Sequence, residues 1–224
     1  MRGIPRHGVR GARRAAPRAS ASSSGFTLIE MLAVIVILGI LMIVLLPRLT
    51  GMSERAKAKM TGTFLQEVAT AIGEYERRFG DYPPSQFVEK WGTPPNTTNL
   101  GGETLVVSLW SLDWGGTSLS EDKFVNTDKD ELKKSLTRFP TNALTELKDE
   151  WGNPIAYFHR RDYGRTDTYV ATEVESGEER EMQVKALTNP TTKTYFESNK
   201  FQLISAGEDG IFGTDDDVTN FKRE

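Results

Sequence analysis

The feature that most constrains this chain is an apolar run from Phe26 to Leu46, interrupted only by Glu30 and followed by Pro47-Arg48. As a helix rising 1.5 Å per residue, those 21 residues reach roughly 32 Å, enough to cross a ~30 Å hydrocarbon core. Arg2, Arg6, Arg10, Arg13, Arg14 and Arg18 precede it without an acidic residue. Basic flanks stay on the cytoplasmic side, so everything after Pro47 is expected outside the cytoplasm. A cleaved signal peptide is the alternative. The run is too long for one, no small-x-small site follows it, and Glu30 interrupts its start.

Charge divides the same way. The chain carries −3 overall and residues 1–25 carry +6, leaving −9 on residues 26–224. An acidic mature part argues against nucleic-acid binding. The absence of cysteine removes disulfides and a lipoprotein anchor, and directs the search for a staple toward a metal. His159 is the only histidine beyond the leader, which leaves no zinc cluster, thiol nucleophile or repeated His-carboxylate dyad. Gly101-Gly102 and Gly115-Gly116 are isolated pairs rather than a phosphate loop. The chain is expected not to be an enzyme.

Five segments follow. Residues 1–25 form a basic leader, 26–47 a transmembrane or filament-core helix, and 48–80 an amphipathic stem helix. In the stem Met52, Ala56, Met60, Phe64, Val68, Ile72, Tyr75 and Phe79 recur at steps of three or four. Pro47 and Gly51 predict a kink or local melting, and Gly80-Asp81-Tyr82-Pro83-Pro84 ends the helix. Residues 81–150 read as loops around a short helix near Glu103–Leu112, with exposed Trp91, Trp110 and Trp114. Within them Asp128-Lys129-Asp130-Glu131 reads as a solvated helix start. Residues 151–224 hold strands at Ile155–His159, Thr168–Val174, Met182–Leu187 and Phe201–Ser205. His159-Arg160-Arg161-Asp162 ends the first of these in a salt-bridged turn. The fold class is α+β: a long N-terminal helix packed on a small antiparallel sheet.

Gly25-Phe26-Thr27-Leu28-Ile29-Glu30 resembles the processing motif of type IV prepilins and secretion pseudopilins. The resemblance implies a lollipop-shaped pilin fold, cleavage by a prepilin peptidase after Gly25, and methylation of Phe26 as the new N-terminus. A carboxylate in hydrocarbon costs about 2.5 kcal/mol or more and needs a partner. The freed amine of Phe26 is the natural partner for Glu30, a pair that would set axial register during assembly. The plainer alternative is a helix-start Glu held by the helix dipole.

Asp149-Glu150-Trp151-Gly152-Asn153-Pro154 resembles the D-x-W-G-N-P turn of the major pseudopilin, the G subunit of type II secretion. Leu203 to Val218 resembles that family's C-terminal calcium loop. The residues support the comparison: Asp209, Asp215, Asp216 and Asp217 supply four carboxylates within nine positions, and Gly207, Gly210 and Gly213 permit the positive φ that curling around a cation requires. The spacing is not that of an EF-hand. By resemblance, Asp209, Asp216 and Asp217 ligate structural Ca2+ through side chains and Ala206 and Thr214 through carbonyls, with Asp215 facing solvent.

The resemblance further implies a homopolymeric filament contacting minor pseudopilins, the prepilin peptidase and an inner-membrane assembly platform. It implies a single-pass inner-membrane protein with a periplasmic C-terminal domain, assembled into a pseudopilus that drives export. Two alternatives stand beside it: a type IV pilin for adhesion, motility or DNA uptake, and a membrane-tethered calcium-dependent binding domain presenting its tryptophans. A calcium-dependent hydrolase is disfavoured by the lone histidine.

Overall fold

A computed structural model describes residues 26–223 apart from 115, 116, 118, 174 and 175, and excludes the side chains of 44–51 and 121. The leader assigned to residues 1–25, Gly25 included, lies outside the described residues. The chain divides into two compact units after Pro47.

In the first unit the polypeptide enters helix α1, Leu28–Phe79, which is continuous through Pro47 and Gly51 rather than locally melted. From Phe26 to Ile43 its large apolar side chains are exposed on every side, from 44% at Met31 to 86% at Leu28. A helix apolar all round has no water-facing stripe and is matched to an apolar environment. Among the described residues no helix is long and apolar enough to cross a membrane. The span expected over 26–47 runs into the residues whose side chains are not described.

In the second unit α1 buries Phe64, Leu65, Val68, Ala71 and Ile72, an i, i+1, i+4, i+7, i+8 stripe that continues the periodicity read from the sequence. The stripe is shorter than expected, because Met52, Ala56 and Met60 are exposed. The helix closes on Gly80, whose φ of +82° lets its N–H reach the Glu76 carbonyl at 2.8 Å.

Against that stripe packs α2, Leu100–Leu109, buried along nearly its whole length. It starts three residues before the expected Glu103. Gly101 explains how it comes so close, since a Cβ there would collide with the Tyr157 carbonyl and the Tyr169 hydroxyl. The Gly101-Gly102 pair serves helix-to-strand packing. The remaining elements form three small antiparallel sheets. Strands β1 (Phe124–Val125) and β2 (Glu146–Leu147) pair through Phe124–Leu147 and Val125–Glu146. Strands β3 (Ala156–His159), β6 (Phe201–Ser205) and β7 (Val218–Thr219) form the central sheet. Strands β4 (Thr166–Thr172) and β5 (Glu179–Lys185) make a hairpin.

Successive β3 side chains face opposite sides. Tyr157 joins the core under α1 and α2, while Ala156 and Phe158 join a second core with Tyr163, Tyr169, Val184 and Ile204. Burial on both faces is why β3 reads as an unbroken apolar run. The architecture is α+β, helices first and antiparallel strands after.

Two expectations about residues 81–150 are corrected. Trp110 and Trp114 are core residues, 0% and 8% exposed, so the exposed tryptophan surface of the binding-domain alternative is absent among them. The acidic stretch Asp128–Glu131 does not start a helix. It forms a bend with Asp130 buried.

Candidate functional site

The first functional segment is the start of α1. The Thr27 hydroxyl accepts the Glu30 N–H at 3.3 Å, and Glu30 Oε2 accepts both the Thr27 N–H and hydroxyl at 2.7 Å. This is a reciprocal capping box, which satisfies orphan N–H donors at the helix start. Within a single chain Glu30 is therefore engaged with Thr27, and it remains exposed along with Phe26. The spacing Thr-x-x-Glu ahead of an apolar run carries that signal in the sequence.

The second segment is the loop joining β6 to β7. The register Ile204–Thr219 and Ser205–Val218 brings its two limbs together, and β7 is too short to be read from sequence. Gly207, at φ +69°, lets the limbs touch: a Cβ would collide with the Asp216 carbonyl and lie 2.6 Å from Asp216 Oδ2. Gly210 approaches the Thr172 carbonyl in the same way.

Three of the loop's four aspartates are aimed by its own backbone. Asp209 Oδ1 accepts the Ile211 N–H at 2.7 Å, Asp216 Oδ2 accepts the Asp209 N–H at 3.0 Å, and Asp217 Oδ2 accepts the Gly213 N–H at 2.9 Å. The Thr214 hydroxyl donates to Asp216 Oδ1 at 2.5 Å. Burial works to raise the Asp216 pKa, but those donors outweigh it and hold the carboxyl below its ordinary value. Asp217 goes the other way. Burial pushes it up to about 7, against the Gly213 N–H and the Arg223 charge, with Asp216 and Asp209 adding repulsion. Asp215 is exposed, as expected.

The donor chemistry fits a hard cation. All the side-chain donors are oxygens, and Asp217 Oδ1 is buried without a hydrogen-bond partner. Ala206 is buried at the loop's first turn, and the Thr214 carbonyl accepts from Arg223 Nη1 at 2.8 Å. Arg223 also reaches the Asp215 carbonyl at 2.7 Å and the Asp217 carbonyl at 3.1 Å. Arg223 thereby neutralises part of the loop. Asp209, Asp216 and Asp217 are not a group with one oxygen each within 4.8 Å of one another; the one such group of three among the described residues is Glu103, Asp128 and Glu146.

The Asp149–Pro154 turn braces the loop from below. Asp149 Oδ1 accepts the N–H groups of Trp151 and Asn153, both at 2.9 Å, and Gly152 supplies φ +93°. Asp149 Oδ2 accepts the Ser205 hydroxyl at 2.7 Å, and Ser205 Oγ accepts the Gly207 N–H at 3.2 Å. Asn153 clasps Thr172 N–H at 2.8 Å, while Trp151 Nε1 donates to Glu54 of α1 at 2.6 Å. One turn thus fastens the stem helix, β4 and the root of the loop. His159 has a structural part too: its Nδ1 accepts the Arg161 N–H at 3.1 Å, and Asp81 pairs with His159, Arg160 and Arg161.

Comparison with known proteins bears on both ends of the chain. Residues 20–46 match the family model described as the prokaryotic N-terminal methylation motif. The chain is 28% identical to the type II secretion system core protein G of Escherichia coli K12 over 204 residues, covering 91% of this chain and 94% of the relative. It is 30% identical to the protein of that name from Dickeya chrysanthemi, over 58% of this chain and 84% of the relative. With the Pseudomonas aeruginosa protein of that name it shares 30% identity over 65% of this chain and 80% of the relative. No solved structure gives a significant match. On these matches the chain belongs to the type II secretion system core protein G family, the G-type pseudopilins.

Proposed function

We propose that this pseudopilin is the major structural subunit of a type II secretion pseudopilus, rather than an enzyme. A prepilin peptidase cleaves after Gly25 and Phe26 becomes the methylated N-terminus. The apolar helix anchors the subunit in the inner membrane with the C-terminal domain in the periplasm, until an assembly platform draws it into the filament. There the helices of neighbouring copies bury one another, minor pseudopilins join them, and the growing rod drives proteins across the outer membrane. The observation that carries this reading is the stretch Phe26–Ile43, whose large apolar residues are exposed on all sides of the helix, inside the segment matching the methylation motif. Such a surface needs either lipid or copies of itself.

Glu30 then has two successive partners. Thr27 holds it in the single chain, and on assembly the amine of Phe26 replaces Thr27, fixing register. Calcium has a structural role in the loop after Ser205, with Asp209, Asp216 and Asp217 as side-chain ligands and Ala206 and Thr214 as carbonyl ligands. Outside the cytoplasm it offsets the repulsion among these acids and couples assembly competence to compartment.

The test is deletion of the gene followed by complementation with wild type or Glu30→Leu. Secreted enzymes are expected to disappear from the medium on deletion and return only with wild type, while Glu30→Leu still inserts in the membrane. Unchanged secretion with lost surface pili would move the assignment to an adhesion or motility pilin. No effect on either would refute both filament readings.

A further inference from the structure

Four carboxylates converge in the core, away from the C-terminal loop. Glu103 lies in the first turn of α2 and is 1% exposed; Glu146 lies on β2 and is 0% exposed. Asp128 and Asp130 come from the bend after β1, on either side of Lys129. Lys129 takes φ +59° and turns outward to Glu179 at 3.5 Å. Glu103, Asp128 and Glu146 each offer an oxygen within 4.8 Å of the others.

Their hydrogen bonding is one-sided. Asn96 Nδ2 donates to Asp128 Oδ2 at 2.8 Å and to Asp130 Oδ2 at 3.4 Å, and Asn99 Nδ2 donates to Glu146 Oε1 at 2.9 Å. The other oxygen of each, namely Asp128 Oδ1, Asp130 Oδ1 and Glu146 Oε2, is buried without a partner, as are both oxygens of Glu103. Among the described residues no lysine, arginine or histidine forms an ion pair with any of the four. A side-chain amide therefore fixes one oxygen of three carboxylates while the other is left over, the arrangement by which outer groups orient metal ligands. The N-terminus of α2 offsets only part of one charge.

We propose that Glu103, Asp128, Asp130 and Glu146 form a second calcium site, built into the core and separate from the C-terminal loop. Five unpartnered carboxylate oxygens suit a hard cation that takes six to eight oxygens and accepts bidentate carboxylates. Zinc and the softer metals favour nitrogen and sulfur, which no side chain here provides. Magnesium sheds its waters reluctantly and is a poor match for ligands this buried. Burial first, and mutual repulsion second, raise Glu103 to about 10, while burial with the Asp128 charge raises Glu146 to about 8 and Asp130 to about 7. Protons are thus the competitor for the same oxygens, and calcium uptake displaces them.

Calcium uptake by full-length protein in detergent micelles, measured by equilibrium dialysis, tests the proposal. An Asp216→Asn/Asp217→Asn variant disables the loop, and Glu103→Gln/Glu146→Gln disables the core site with little change of volume. The loop variant is expected to keep one equivalent of calcium, and adding the core substitutions should weaken that equivalent at least 100-fold. A loop variant that binds no calcium, or a core variant that binds as wild type does, overturns the core site. If the core variant does not fold, the loop variant decides alone: its melting temperature at pH 8 should rise with calcium, and indifference to calcium overturns the proposal. Failure of the loop reading is a different result, namely calcium uptake unaltered by Asp216→Asn/Asp217→Asn.

Discussion

The C-terminal loop and the acidic core of this protein hold similar numbers of carboxylates and supply them with hydrogen bonds differently. In the loop the acids lie close in sequence, and Asp209, Asp216 and Asp217 are each met by a backbone N–H from within the loop. In the core Glu103, Asp128, Asp130 and Glu146 come from three elements, and amides satisfy only part of their capacity. The loop keeps Asp216 below its ordinary pKa, while burial raises Asp217 beside it to about 7; the core raises Glu103, Glu146 and Asp130. Proximity of charges does not decide the outcome. The balance of burial against hydrogen-bond donors does, because a buried carboxylate with too few donors is costly to ionise.

The largest expected effect separates the two regions by pH. The raised core acids bind protons in the folded chain at a pH where the unfolded chain has lost them. Their stabilising contribution is therefore complete below the ordinary carboxylate range and lost as pH rises toward their folded values of about 7, 8 and 10. Calcium-free protein should lose more than about 4 kcal/mol between pH 5 and pH 8, measured by urea unfolding in chelator. A flat profile would break the contrast. Asp149, raised to about 6 by burial, and Asp217 contribute with the same sign.

Gly101→Ala comes next. Its Cβ collides with the Tyr157 carbonyl, displacing α2 and Glu103 with it, and should cost about 3 kcal/mol whether or not calcium is present. A loss confined to the calcium-bound protein would mean that α2 acts only through the cation. Asp216→Asn should remove the stabilisation proposed for calcium in the loop, about 2.7 kcal/mol at 100 times the dissociation constant, while the calcium-free protein shifts little. Calorimetric melting with and without calcium reads both numbers. Asp215→Asn is the smallest: exposed and not assigned as a ligand, it should stay within about 0.5 kcal/mol of wild type. A larger change would place Asp215 among the ligands.

What could be read in advance was local. The stem stripe through Phe64, Val68 and Ile72 follows helical periodicity, and the strand at Phe201–Ser205 was read with the bounds it has. The Thr27–Glu30 box is equally local, a matter of spacing. Strands β1, β2 and β7 were not legible, since two residues carry no period. The burial of Trp110 is not legible for a related reason: it depends on Phe124 and Phe139, with ring centroids 4.9 and 6.2 Å away, and both are distant in the chain.

By itself the sequence determined the apolar N-terminal helix with its methylation motif, the α+β order of elements, and a glycine-spaced acidic loop, because each depends on residues within a few positions. Tertiary structure alone decided that Gly101 exists to admit Tyr157, that Asp149 holds Ser205, and that Glu103 meets Asp128 and Glu146. Those contacts join segments 25 to 56 residues apart. Which side chains share a site at such separations is set by how helix and strands pack, and no short-range pattern records it.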